Sequence, residues 1–229
     1  MPVVPRLVRR TPGLLDLAIK NRPGVIGYRL SAASTLNSAY ADPTNFLTVA
    51  SGSLFASPTV TKNGMYQGVG PDRGLTRLSL DINDYASAEI PGDGTMLFLR
   101  VSEQTSGGFL SPGPILAIPP PDFFVASRRI LVLTGTAPEL ESRGDNLPPT
   151  TAMHICFPKF ADDVRIYNEG IADADALYFS FGIGLNEMRV LGATHRILSV
   201  SGANEILIRG EGGAVDFSLS AALVNGLSW

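Results

Sequence analysis

Val215-Asp216-Phe217-Ser218-Leu219-Ser220-Ala221-Ala222-Leu223-Val224 decides the fold class. Val215, Phe217, Leu219 and Ala221 share one parity, while Asp216, Ser218 and Ser220 take the other. Successive side chains of a strand point to opposite faces, so this stretch reads as a strand with one face buried and one in water. Leu75–Asp81 shows the same alternation, with Leu75, Arg77 and Ser79 opposing Thr76, Leu78 and Leu80.

Working outward, short β-rich runs recur at Val25–Ser31, Phe46–Ala50 and Met96–Ser102. They continue at Ile130–Thr134, Ala152–Phe157, Val164–Tyr167, Ala176–Phe181, Ile197–Val200 and Glu205–Arg209. The chain has 24 glycines and 17 prolines in 229 residues, and many fall between these runs, as at Lys62-Asn63-Gly64 and Pro91-Gly92-Asp93-Gly94. Short strands separated by turn residues predict an all-β protein built from antiparallel sandwiches, with little helix.

Two features predict the domain plan. Residues 1–23 carry four prolines and five basic residues against Asp16, and read as an extended basic arm, either a solvated terminus or, given its aliphatics, a strip that docks on a partner. Its contact residues are Arg6, Arg9, Arg10, Leu14, Leu15, Leu17, Ile19 and Arg22. Pro119-Pro120-Pro121 cannot donate to a sheet ladder and reads as the start of a spacer. The expected plan is therefore an arm at 1–23, a sandwich at 24–118, a linker at 119–126 and a second sandwich or jelly roll at 127–229. Charge changes across the linker: residues 1–121 carry a net charge of +2 and residues 122–229 a net charge of −5.

Composition narrows the function classes. A hydrophobic share of 45% supplies a core, and the formal charge of −3 argues against a nucleic-acid binder acting through whole-surface charge. No run approaches the ~18 apolar residues of a membrane helix, so a soluble protein made in a cytoplasm is expected. The single cysteine, Cys156, excludes an internal disulfide.

The sequence offers no catalytic motif. Neither G-x-S-x-G nor S-x-x-K occurs, and only His154 and His195 could serve a triad. The glycines from Gly68 to Gly74 follow G-x-G-x-x-x-G with no helix pattern behind them, and read as a surface loop. His154 and Cys156 lie two apart in a predicted strand and so point the same way. Among apolar neighbours the pair reads as core in preference to a metal site. His195 reads as a solvated loop residue. The expectation is no enzyme, no catalytic residue, no metal and no cofactor.

Gly27-Tyr28-Arg29-Leu30 resembles a strand of fibronectin type III modules. Leu97-Phe98-Leu99-Arg100-Val101, with Gly107 to Ile115 after it, resembles their later strand F, loop and strand G. The likeness spans residues 24–120. With its basic arm, Ig-like module, proline linker and second β-domain, the whole chain resembles virion structural proteins of tailed bacteriophages. Capsid decoration (cement) proteins are the nearest class. That resemblance implies binding to the major capsid protein on the outer face of a shell, as a homotrimer that stabilises the capsid. It implies no nucleic-acid or membrane partner. The alternative is a tail, baseplate or fibre module that binds a partner or host surface.

Overall fold

A computed structural model describes residues 3–20, 22–25, 27–41, 47–53, 65–69, 75–81, 96–121, 129–139, 152–171, 175–182 and 187–224. The expected turns at 62–64 and 91–94, Gly70 and Gly74 of the glycine-rich stretch, and linker residues 122–126 lie outside the described residues. The chain is all-β. Its strands are β1 (Arg6–Thr11), β2 (Leu14–Lys20), β3 (Gly27–Ala33), β4 (Leu47–Ser53), β5 (Met65–Val69), β6 (Leu75–Asp81), β7 (Leu97–Thr105), β8 (Gly108–Phe109) and β9 (Ile115–Ile118). They continue as β10 (Ile130–Ala137), β11 (Met153–Asn168), β12 (Ala176–Ser180), β13 (Met188–Val190), β14 (His195–Glu211) and β15 (Val215–Leu223), and among the described residues a short helix, α1, spans Leu36–Ala41. Two compact units divide the chain, Met1–Ala126 and Ser127–Ser228.

The first unit holds two antiparallel layers. One has the order β1-β2-β6-β5. In the other, β3 lies between β4 and β7, and β7 also pairs with β8 and β9. Side chains join the layers: the Tyr28 hydroxyl donates to the Lys20 carbonyl at 3.1 Å, and Arg10 Nη1 donates to the carbonyls of Ile118 at 3.1 Å and Pro119 at 2.9 Å.

Residues 1–23 are not an extended arm. Pro12 and Gly13 turn β1 into β2, with Thr11 opposite Leu14 and Gly13 at φ 75°. A Pro-Gly pair with positive φ at the glycine is ordinary turn chemistry. β2 then lies between β1 and β6, and Leu15, Leu17 and Ile19 are each 1% exposed. The aliphatics meant for a partner form the protein's own core. Burial, not docking, is what their period-2 spacing serves. The expected spacer also begins inside the first unit, where Pro119 is buried and its carbonyl is held by Arg10.

The second unit is organised by two long strands. β11 pairs with β14 along two stretches, Met153–Cys156 against Ile208–Glu205 and Asp163–Tyr167 against Ser199–His195. Register shifts lie between Cys156, Ala161 and Asp163. The first stretch of β14 also carries β12 and then β13, whereas the second stretch of β11 carries β15 and then β10. Strands that change partners across a bulge turn the corners of sandwiches. At the far end of β10 the Gly210 N–H donates to the Pro138 carbonyl at 2.8 Å, which returns β10 to β14. Along β15 the burial alternates as its sequence predicts: Val215, Phe217, Leu219 and Ala221 are buried, and Leu219 lies between Leu133 and Ile166.

Candidate functional site

The eight residues expected to dock the arm do not form a binding surface. Leu15, Leu17 and Ile19 are core, and Arg10 is buried against β9. Arg22 makes a two-pronged ion pair with the buried carboxylate of Glu103: Nε donates to Oε1 at 2.7 Å, and Nη2 bonds Oε2. That bond raises the Arg22 pKa further. Arg6 and Leu14 are half-buried, and Arg9 is exposed on β1. His195 is exposed, as expected of a solvated residue, but it opens β14 and pairs with Tyr167.

The second unit gathers the chemistry. His154 and Cys156 share a face of β11, as their spacing predicts, and Glu205 on β14 is the direct cross-strand partner of Cys156. His154 Nε2 lies 2.7 Å from Glu205 Oε2 and 4.0 Å from Cys156 Sγ. Candidate ligand atoms of the three residues all lie within 4.8 Å of one another. The residues on the opposite face, Met153, Ile155, Ile206 and Ile208, are fully buried and fix the strands' register.

The electrostatics follow from burial. His154 is 7% exposed, and its Nδ1 has no hydrogen-bond partner, so the ring makes its polar contacts through Nε2. The Glu205 side chain is 30% exposed, and its pKa is lowered, chiefly by the hydrogen bond from His154. The Cys156 thiol is pushed up by burial, with the charge of Glu205 adding to the effect. A thiol so held is protonated and not a nucleophile. A Cys–His–acid relay also uses opposite ring nitrogens, one for the thiol and one for the carboxylate. Here both approach Nε2, so no relay forms. Glu205 was missed by sequence reasoning because it stands 49 positions beyond Cys156 and only the register unites them.

A second feature is the outer face of the β14-β11-β15-β10 layer. Ile197, Arg165, Ser220 and Val132 form one cross-strand row, with Ile130 and Tyr167 in the adjoining rows. Val132 is 59% and Ile197 56% exposed, and Ile130 and Tyr167 are exposed as well. These are β-branched and aromatic side chains on the wet face of a half-buried sheet.

No protein-family model matches the chain, and no curated protein matches it. Among solved structures it is similar to the chicken CNTN1 FN1–FN3 domains, at 10% identity and a TM-score of 0.31. The similarity covers 96% of this chain and 65% of that one, and at such a score it does not establish a shared topology.

Proposed function

We propose that this chain is a non-enzymatic virion structural protein that binds and stabilises the outer surface of a phage capsid. Its partners are the major capsid protein and further copies of itself in a trimer. The observation that carries the reading is the outer face of the second unit. Exposed Ile130, Val132, Tyr167 and Ile197 share one sheet surface with the polar Arg165 and Ser220 between them, and a mixed apolar and polar face is what a non-obligate interface presents. Much of the polar chemistry is spent internally, as in Arg10 on β9 and Arg22 on Glu103, which suits a rigid module whose weak contacts gain strength through many copies. Contact moves from the N-terminal residues, which are folded into the first unit, to this face.

The test is co-sedimentation of the purified protein with phage shells that lack it. Wild type pellets with the shells, and a Val132→Glu/Ile197→Glu variant with an unchanged circular dichroism spectrum stays in the supernatant. Equal pelleting by the variant refutes the assigned face. Failure of the wild type to pellet, with antibody labelling of phage tails, transfers the protein to the tail, baseplate or fibre class.

A further inference from the structure

We propose that His154, Cys156 and Glu205 bind a single zinc-class divalent metal ion through Nε2, Sγ and a carboxylate oxygen. Three donors of different chemistry approach one point from two adjacent strands. A structural pair of buried histidine and carboxylate needs no thiol on the same side of the ring. A catalytic relay would need the thiol on the opposite nitrogen. Convergence on Nε2 fits a metal better than either.

Two of the three donor separations lie near those of a coordination shell, and the third, Cys156 Sγ to the Glu205 carboxylate, is within 4.8 Å. Zn–N and Zn–O bonds of about 2.0–2.1 Å and a Zn–S bond of about 2.3 Å set tetrahedral edges near ~3.3 Å for N···O and ~3.5 Å for N···S. The observed separations are 2.7 Å and 4.0 Å. The first must open and the second close by roughly half an ångström each, given those bond lengths. Glu205, the most exposed of the three, has the freedom to accommodate this.

Charge and donor type select the ion. A divalent cation with one thiolate and one carboxylate makes a neutral group, which tolerates burial where a lone charge does not. Sulfur and imidazole donors favour zinc-class ions over magnesium or calcium, which take oxygen shells. On binding, the Cys156 thiol proton leaves to solvent, a metal–sulfur bond forms, and the imidazole proton moves from Nε2 to Nδ1. One proton is released per ion and no electron is transferred. Three protein ligands leave a fourth position for water on the side of Glu205.

The full-length protein, stripped with a chelator, is titrated with Co²⁺ as a spectroscopic probe, and Zn²⁺ is then added as competitor. The expected result is a 1:1 end point with a thiolate-to-cobalt charge-transfer band and the intense visible bands of tetrahedral cobalt, all erased by Zn²⁺. Cys156→Ser loses the charge-transfer band, and Glu205→Gln weakens binding by at least the ~10-fold seen when even a supporting group is removed. Asp163→Asn, an exposed acid elsewhere on β11, leaves the titration unchanged. Absence of the thiolate band in the wild type overturns the proposal whatever the variants do. Undiminished affinity in Glu205→Gln removes that residue from the ligand set and overturns the three-ligand site.

Discussion

Asn168 gives the sharpest test of how the second unit is held together. It closes β11 and is fully buried. Its Nδ2 donates to the carbonyls of Asp175 at 2.7 Å and Val190 at 2.9 Å, and its Oδ1 accepts the Gly170 N–H at 2.8 Å. One side chain thus satisfies three backbone groups around β11, β12 and β13. Asn168→Asp keeps the shape and the bond from Gly170 but turns two donors into an acceptor. Each buried acceptor stripped of its partner costs about 1–3 kcal/mol. The site of the Val190 bond is buried and that of the Asp175 bond only partly so. The loss is then roughly 2–4 kcal/mol, or roughly 10–30 °C in the melting temperature of a unit of about a hundred residues. Scanning calorimetry of the full chain reads this as a downshift of the second unit's transition. The new carboxyl is destabilised when charged, so its folded pKa lies above its unfolded one. Stability relative to wild type is therefore regained as pH falls and lost as pH rises through the folded pKa. Asn168→Ala shows no such recovery. A shift under about 1 kcal/mol, or a pH-independent deficit in Asn168→Asp, refutes the reasoning.

Gly210→Ala should destabilise the second unit by about 1–3 kcal/mol in denaturant titration, because its Cβ would sit 2.4 Å from the Gly213 carbonyl oxygen and 3.0 Å from Val215 Cγ2. Deleting residues 1–22 should abolish cooperative unfolding of the first unit and expose it to limited proteolysis, since β2 is a central strand. A protease-resistant first unit after the deletion counts against that placement. Arg10→Ala should cost about 2–4 kcal/mol in thermal denaturation, from two charge-assisted bonds to the Ile118 and Pro119 carbonyls. The Tyr178 phenol is held above its ordinary pKa, first by its hydrogen bond to Glu211 and then by burial. Its stabilising contribution is therefore complete below the unfolded pKa near ~10 and lost as pH rises through the folded value. Tyr178→Phe should flatten the alkaline limb of the melting-temperature profile relative to wild type.

Period-2 alternation makes β6 in the first unit and β15 in the second legible, and both run close to where it puts them. It divides β11 and β14 into four strands, because the β-rich runs stop at Phe157 and resume at Val164, and stop at Val200 and resume at Glu205. The structure absorbs Pro158 within the irregular stretch of β11, and Gly202 takes φ 78° inside β14. A bulge and a turn use the same residues, and only the partner strand separates them. The β1–β2 hairpin was written plainly in Pro12-Gly13 between alternating aliphatics, but the density of arginine suggested a tail. Arg10 and Arg22 instead saturate acceptors within the first unit. The face shared by His154 and Cys156 followed from spacing alone, whereas Glu205 depended on long-range register. The expectation that the histidine and cysteine are simply core holds for their burial and omits the carboxylate beside them.

The long reach of Arg10 has a consequence for biosynthesis. β2 cannot be sandwiched until β6 exists, and Arg10 has no acceptors on β9 until Ile118 and Pro119 have been made. At about 5–20 residues per second, the hundred or so residues between the hairpin and β9 take roughly 5–20 s to synthesise. Throughout that interval the hairpin that carries Leu15, Leu17 and Ile19 lacks the Arg10 anchor at Ile118 and Pro119. The order in which the chain emerges from the ribosome thus leaves its earliest core-forming segment waiting longest, and a nascent chain stalled before Ile118 is a natural client for a chaperone.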